Sequence, residues 1–140
     1  MVGIKNMKNE INKLNKIVYL ISQTIFYKSY NKRKSKVKIG KFICERISNF
    51  SGSIVQYIIS EKKSFFNKNL LICFYLNTDD FPPEVEYCND ESWIESFKIQ
   101  FCKNKKMVER FQEDNKYSSE VTLNWLRSQG LIFDNGKKEK

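Results

Sequence analysis

Ile4, Met7, Ile11, Leu14, Val18, Ile21 and Ile25 recur at alternating intervals of three and four residues. That period places them on one side of an α-helix, so the start of the chain is predicted to form an amphipathic helix. Its flanking positions, Lys8, Asn15 and Ser22 on one side and Glu10, Ile17 and Thr24 on the other, offer little charge complementarity to a second helix. Ile17, Leu20 and Phe26 also widen the stripe, which favours packing inside its own domain over a coiled coil. A chain of 140 residues that is 41% hydrophobic, with 11 Phe and 7 Tyr, suits one domain with an aromatic core. No apolar run reaches the roughly 20 residues that span a bilayer. The candidate Ile17 to Tyr27 is broken by Ser22, Gln23 and Thr24 and is a poor secretory signal. An intracellular place, cytoplasmic or nuclear, is expected, with no membrane partner.

Several chemistries are excluded by what is missing. There is no histidine, so Ser-His-Asp and Cys-His hydrolysis and two-His metal centres lack their imidazole. The five glycines are scattered and form no phosphate loop. Cys44, Cys73, Cys88 and Cys102 contain no C-x-x-C pair, so reduced thiols are expected rather than a zinc site. Asp79, Asp80, Glu84, Glu86, Asp90, Glu91 and Glu95 form an acidic run around Pro82-Pro83. It lacks the glycine and regular oxygen spacing of a calcium loop and reads as a solvated surface or a partner for the basic half. Ser60 to Lys63, "SEKK", resembles the acid-x-lysine end of a nuclease strand, but only Glu10 and Glu45 precede it as acidic partners. No enzyme activity, metal or cofactor is expected.

The strongest positive feature is a charge asymmetry. Residues 1 to 70 hold 15 basic and 3 acidic side chains, whereas residues 71 to 140 hold 10 and 13. Scarce arginine, absent alanine and abundant Lys, Asn, Ile, Phe and Tyr mark AT-rich coding, which raises lysine everywhere. Coding bias acts along the whole gene and does not explain two halves of opposite sign. Within the basic half, Tyr27 to Phe42 carries Lys28, Lys32, Arg33, Lys34, Lys36, Lys38 and Lys41 with no acid among them. Phosphate contacts from these seven cations, with Tyr27, Tyr30 and Phe42 as stacking faces, suit nucleic-acid binding that is nonspecific or read by shape. Lysine rather than arginine implies no bidentate base reading.

The remaining pattern predicts an α+β domain, mainly helical, with a small sheet of two or three strands. Lys36 to Ile39 alternates as a strand would, yet Ile39, Phe42, Ile43, Ile47 and Phe50 suit a helix, so a basic loop leading into a helix is expected there. Ile54 to Ile59 and Leu70 to Leu76 are predicted to pair as strands, with a helix as the alternative for the first. Trp93, Phe97 and Phe101 form one helical ridge and Met107, Val108 and Phe111 another. Val121, Leu123, Trp125 and Leu126 mark a last helix, started by Ser118 or Ser119 and stopped at Gly130. Residues 118 to 140, "SSEVTLNWLRSQGLIFDNGKKEK", resemble the third helix and wing of a winged-helix module, the similarity covering 105 to 140 with Asp134-Asn135-Gly136 as a turn. That resemblance implies that Ser119, Thr122, Asn124 and Arg127 face a groove of DNA.

Two functions from different classes follow. One is a small non-enzymatic nucleic-acid-binding protein, for DNA or RNA, that grips phosphates through its Lys-rich segment. The other is a protein-binding adaptor or inhibitor, encoded by an AT-rich virus or mobile element, docking through charge and exposed aromatics.

Overall fold

The structure is a computed structural model that describes residues 16–29, 31–77 and 84–132. The first helix, α1, is described over residues 16–25, where the apolar face is wide: Ile17, Val18, Ile21 and Ile25 are all buried, followed by Phe26. The expected stripe from Ile4 to Leu14 lies outside the described residues. A 3-10 turn at Tyr27–Ser29 leads into five strands: β1 (Lys34–Ile39), β2 (Phe42–Ser48), β3 (Ile54–Lys62), β4 (Lys68–Asn77) and β5 (Glu84–Cys88). They form one antiparallel sheet in the order β1-β2-β3-β4-β5. Three helices follow: α2 (Ser92–Cys102), α3 (Lys105–Asn115) and α4 (Glu120–Ser128).

The α+β expectation holds, but the sheet has five strands where two or three were expected. The missing pair is β1 and β2, where sequence spacing pointed to a loop and a helix. Ile39 and Phe42 pair across a two-residue turn, Gly40-Lys41, in which Gly40 has φ +59°. Helical spacing misled because both sides of β2 are shielded. Phe42 and Cys44 face the core while Ile43, on the opposite side, is also buried, so the apolar residues of β2 no longer alternate. Strand β5 comes from the acidic run, where a solvated surface or a docking partner had been expected. Glu84 there accepts a 2.6 Å bond from the Tyr75 hydroxyl, and Gln56 donates to Glu86.

One sheet face is covered by aromatic packing. Phe42 from β2 sits 5.4 Å from Phe97 and 6.3 Å from Trp93 of α2, ring centre to ring centre. Tyr57 stacks on Phe74 at 5.2 Å and meets Phe26 at 6.2 Å, which ties β3 and β4 to the end of α1. Phe101 meets Phe111 edge-on at 5.7 Å and joins α2 to α3. These groups, with Leu126 of α4 and Leu131, belong to one continuous buried cluster.

The helix ends follow capping rules. Asn104 accepts from Met107 N at the start of α3, and Ser119 accepts from Thr122 N at the start of α4. Gly130, at φ +76°, ends α4, and Leu131 N returns to Leu126 O at 3.0 Å. Val121, expected on the apolar side of α4, is instead 79% exposed. The expected wing turn at Asp134-Asn135-Gly136 lies outside the described residues. Among the described residues no helix is long and apolar enough to cross a membrane.

The β1–β2 turn tests this packing. A Cβ at Gly40 would lie 2.5 Å from Gln100 Oε1 of α2, whereas one at Gly52, also at positive φ, would meet nothing. Gly40→Ala is expected to cost more than the about 1–2 kcal/mol that left-handed backbone alone imposes on Gly52→Ala. Adding Gln100→Ala should bring the two losses together in urea unfolding. Equal losses in the single variants would mean that Gln100 moves aside without cost.

Candidate nucleic-acid interface

The basic segment is divided by the fold into three parts with different surroundings. At its start, Tyr27 is 42% exposed, with the Arg110 guanidinium 4.3 Å and the Lys28 ammonium 5.6 Å from its ring centre. Lys32 lends its carbonyl oxygen to Arg46 at 3.2 Å, and Arg33 lies 3.9 Å above the ring of Phe50. Tyr30 lies outside the described residues. At the far end, Lys41 is held by Glu61 at 2.8 Å. Phe42, expected as a stacking face, is fully buried in the core and unavailable to a ligand.

The middle part is different. In β1 the side chains alternate, so Val37 and Ile39 pack on the core while Lys34, Lys36 and Lys38 project from the opposite face. Successive lysines along such a strand stand about 7 Å apart. Across the register Lys36 is opposite Glu45 and Lys38 is opposite Ile43. Strand pairing then brings a second set of cations alongside. Phe42 pairs with Glu61, so β3 runs on past β2, and Lys62 pairs with Lys68 where β4 begins.

Lys36, Lys38, Lys62 and Lys68 therefore line a single groove of about 530 Å³, with Val37 and Ile43 contributing apolar surface. The β3–β4 turn stands over it. Lys63 N and Ser64 N both donate to Asn67 O, at 2.9 and 3.2 Å, which leaves Phe65 and Phe66 at the tip. These rings are 83% and 91% exposed and stack on each other at 4.9 Å with planes 12° apart. The Lys62 ammonium is 5.7 Å from the centre of the Phe65 ring. Lys62, Lys68, Phe65 and Phe66 were not singled out from sequence, although "KKSFFNK" between two predicted strands carried the signal.

Among the described residues, each ion pair joins groups within 1–70 or within 71–140, and none crosses between them. No carboxylate lies within ion-pairing distance of Lys34, Lys36, Lys38, Lys62 or Lys68 among the described residues. Lys16, described at the start of α1, lies apart from this face and approaches the Trp125 ring of α4 at 5.3 Å.

Other candidate groups are engaged in structure. Arg46, nine-tenths buried, donates to Ser29 O and Lys32 O and bonds the Tyr57 hydroxyl, anchoring the turn before β1. It borders a cleft of about 470 Å³ against α1 and α3, where Asp114 accepts from Thr24 and pairs with Arg110. In α4, Ser119 caps Thr122, and Asn124 accepts from Arg127 at 2.8 Å. The four cysteines are free thiols. Burial, helped by Glu45, pushes Cys44 up to about 12, and burial with the Glu86 contact pushes Cys73 up to about 11, so both stay protonated near neutral pH. No group of three or more acids or cysteines suited to a metal ion occurs among the described residues.

Glu61 supplies a pH test of the ion pairs beside the β1–β2 turn. The bonded Lys41 ammonium lowers its carboxyl below the usual range, burial opposes this, and Lys63 at 3.2 Å reinforces it. A lowered carboxyl stabilises the fold above its unfolded pKa and loses that contribution as pH falls through the folded value. Glu61→Gln should therefore be less stable than the wild type at neutral pH, with the gap closing below about pH 4. Urea unfolding at both pH values reads this, and a gap unchanged in acid would exclude the ion pair as its source. No protein family, curated protein or solved structure matches this chain.

Proposed function

We propose that this chain is a small non-enzymatic nucleic-acid-binding protein that holds phosphates with the lysines of β1 and of the β3–β4 hairpin. The observation that carries this reading is the groove in which Lys36, Lys38, Lys62 and Lys68 converge beside an exposed pair of aromatic rings. A lysine-rich edge strand has another use, because β1 is the sheet edge and charged side chains there discourage pairing with a second chain. That use accounts for Lys34, Lys36 and Lys38. It does not account for Lys62 and Lys68, which come from interior strands, nor for the phenylalanines at the tip.

Lysine is a flexible point charge that suits phosphate oxygens more than base edges, so the reading implies little sequence preference. The C-terminal helices are not assigned to the interface. The polar side chains that a winged-helix likeness would turn toward DNA are bonded to one another along α4. The alternative, an adaptor that docks on a protein, is favoured by the same Phe65 and Phe66, since exposed aromatics serve as anchors in protein interfaces.

Salt separates the two. If four lysines each displace a counterion from a single strand, log K should fall against log salt with a slope of about −3. Lys36→Gln with Lys38→Gln should remove about 1.4 of that slope. Fluorescence anisotropy with labelled oligonucleotides over a salt series gives both values. Absence of binding to any nucleic acid at low salt would reject the proposal, as would an unchanged slope in the double variant.

A further inference from the structure

We infer that the groove is built for single-stranded nucleic acid, whose unpaired bases stack on the Phe65–Phe66 pair while the phosphates follow the lysines. This rests on the nucleic-acid reading above and specifies the class of strand. Four lysines alone fit any polyanion, duplex or single strand. The added observation is two large apolar rings, 83% and 91% exposed, with no packing role in the core cluster.

Leaving such rings in water forfeits the gain from burying them, so a ligand with an apolar flat surface is the matching partner. A duplex keeps its bases stacked inside and presents phosphate and sugar at this face. A single strand presents both phosphates and free base faces, and base–aromatic stacking tolerates any sequence because every base has a π-face.

The geometry is compatible at each step. Phe65 and Phe66 lie on a hairpin tip, stacked 12° from parallel, and both are exposed there. Phe50 is as exposed, but the Arg33 guanidinium already covers its ring at 3.9 Å. Lys36, Lys38, Lys62 and Lys68 line the groove beneath the tip, within reach of the same strand. From Lys34 to Lys38 the strand extends only about 14 Å, room for a few nucleotides and not for a long duplex tract.

The experiment uses the full chain and three labelled ligands of equal length: a single strand, the matched duplex, and a single strand with abasic sites. The wild type should bind the base-bearing strand most tightly. Phe65→Ala with Phe66→Ala should weaken that complex about tenfold while changing the duplex and abasic complexes little. Both rings are on the surface, so the fold should persist, and a circular-dichroism melt verifies it. Equal binding of the base-bearing and abasic strands by the wild type, or an equal loss on both in the double variant, would overturn the inference. If all three ligands bind alike and with steep salt dependence, only the single-strand inference fails. If none binds at low salt, the nucleic-acid reading itself fails.

Discussion

The packing of Phe42 against Trp93 and Phe97 fixes which way the β1–β2 hairpin faces. With Phe42 turned into the core, Ile39 across the turn is turned inward too, and Val37 follows two residues earlier. Strand geometry then leaves no choice for Lys34, Lys36 and Lys38, which emerge on the opposite face. A slip of one residue would put lysines under α2 and the aliphatic residues in water, at a cost far above the stability of a domain this size. The positive face is thus a consequence of core packing, and the lysines need no contacts of their own to hold their positions.

What could be read from the chain depended on whether one physical signal dominated locally. The part of the first helix that is described, the Trp93-Phe97-Phe101 ridge and the stop at Gly130 each carry a clear period or cap, and the β3–β4 pair shows as two short β-branched or aromatic runs bounded by polar residues. The β1–β2 hairpin did not, because burial on both sides of β2 destroyed its alternation. Strand β5 was hidden in a similar way. Its carboxylates dominated the local pattern, yet it is Val85 and Cys88 that pack on the core cluster.

The lysine groove was half legible for a related reason. Sequence proximity marked Lys34, Lys36 and Lys38, but it also marked Lys41, which is paired with Glu61, and Phe42, which is buried. The other half of the groove arrives from Lys62 and Lys68, downstream in β3 and β4, through the registers that set Phe42 opposite Glu61 and Lys62 opposite Lys68. No local pattern reports such a juxtaposition, which exists only once β1 to β4 have paired. Ion pairs among the described residues stay within their own half of the chain.

The buried core and the lysine-rich face draw on separate residues in this fold. The ring cluster around Phe42, Phe97, Tyr57 and Phe74 is deeply buried, and truncating any of these rings would leave a cavity. Arg46 belongs with them, because its removal would take from the Lys32 carbonyl the bond it now accepts, whereas the Ser29 carbonyl keeps Lys32 N. Lys36, Lys38, Lys62 and Lys68 have no carboxylate at ion-pairing distance among the described residues, so neutralising them orphans no buried partner. Phe65 and Phe66 fill no space in the core. Removing charge or ring area from this face therefore changes its surface while the sheet beneath keeps its packing.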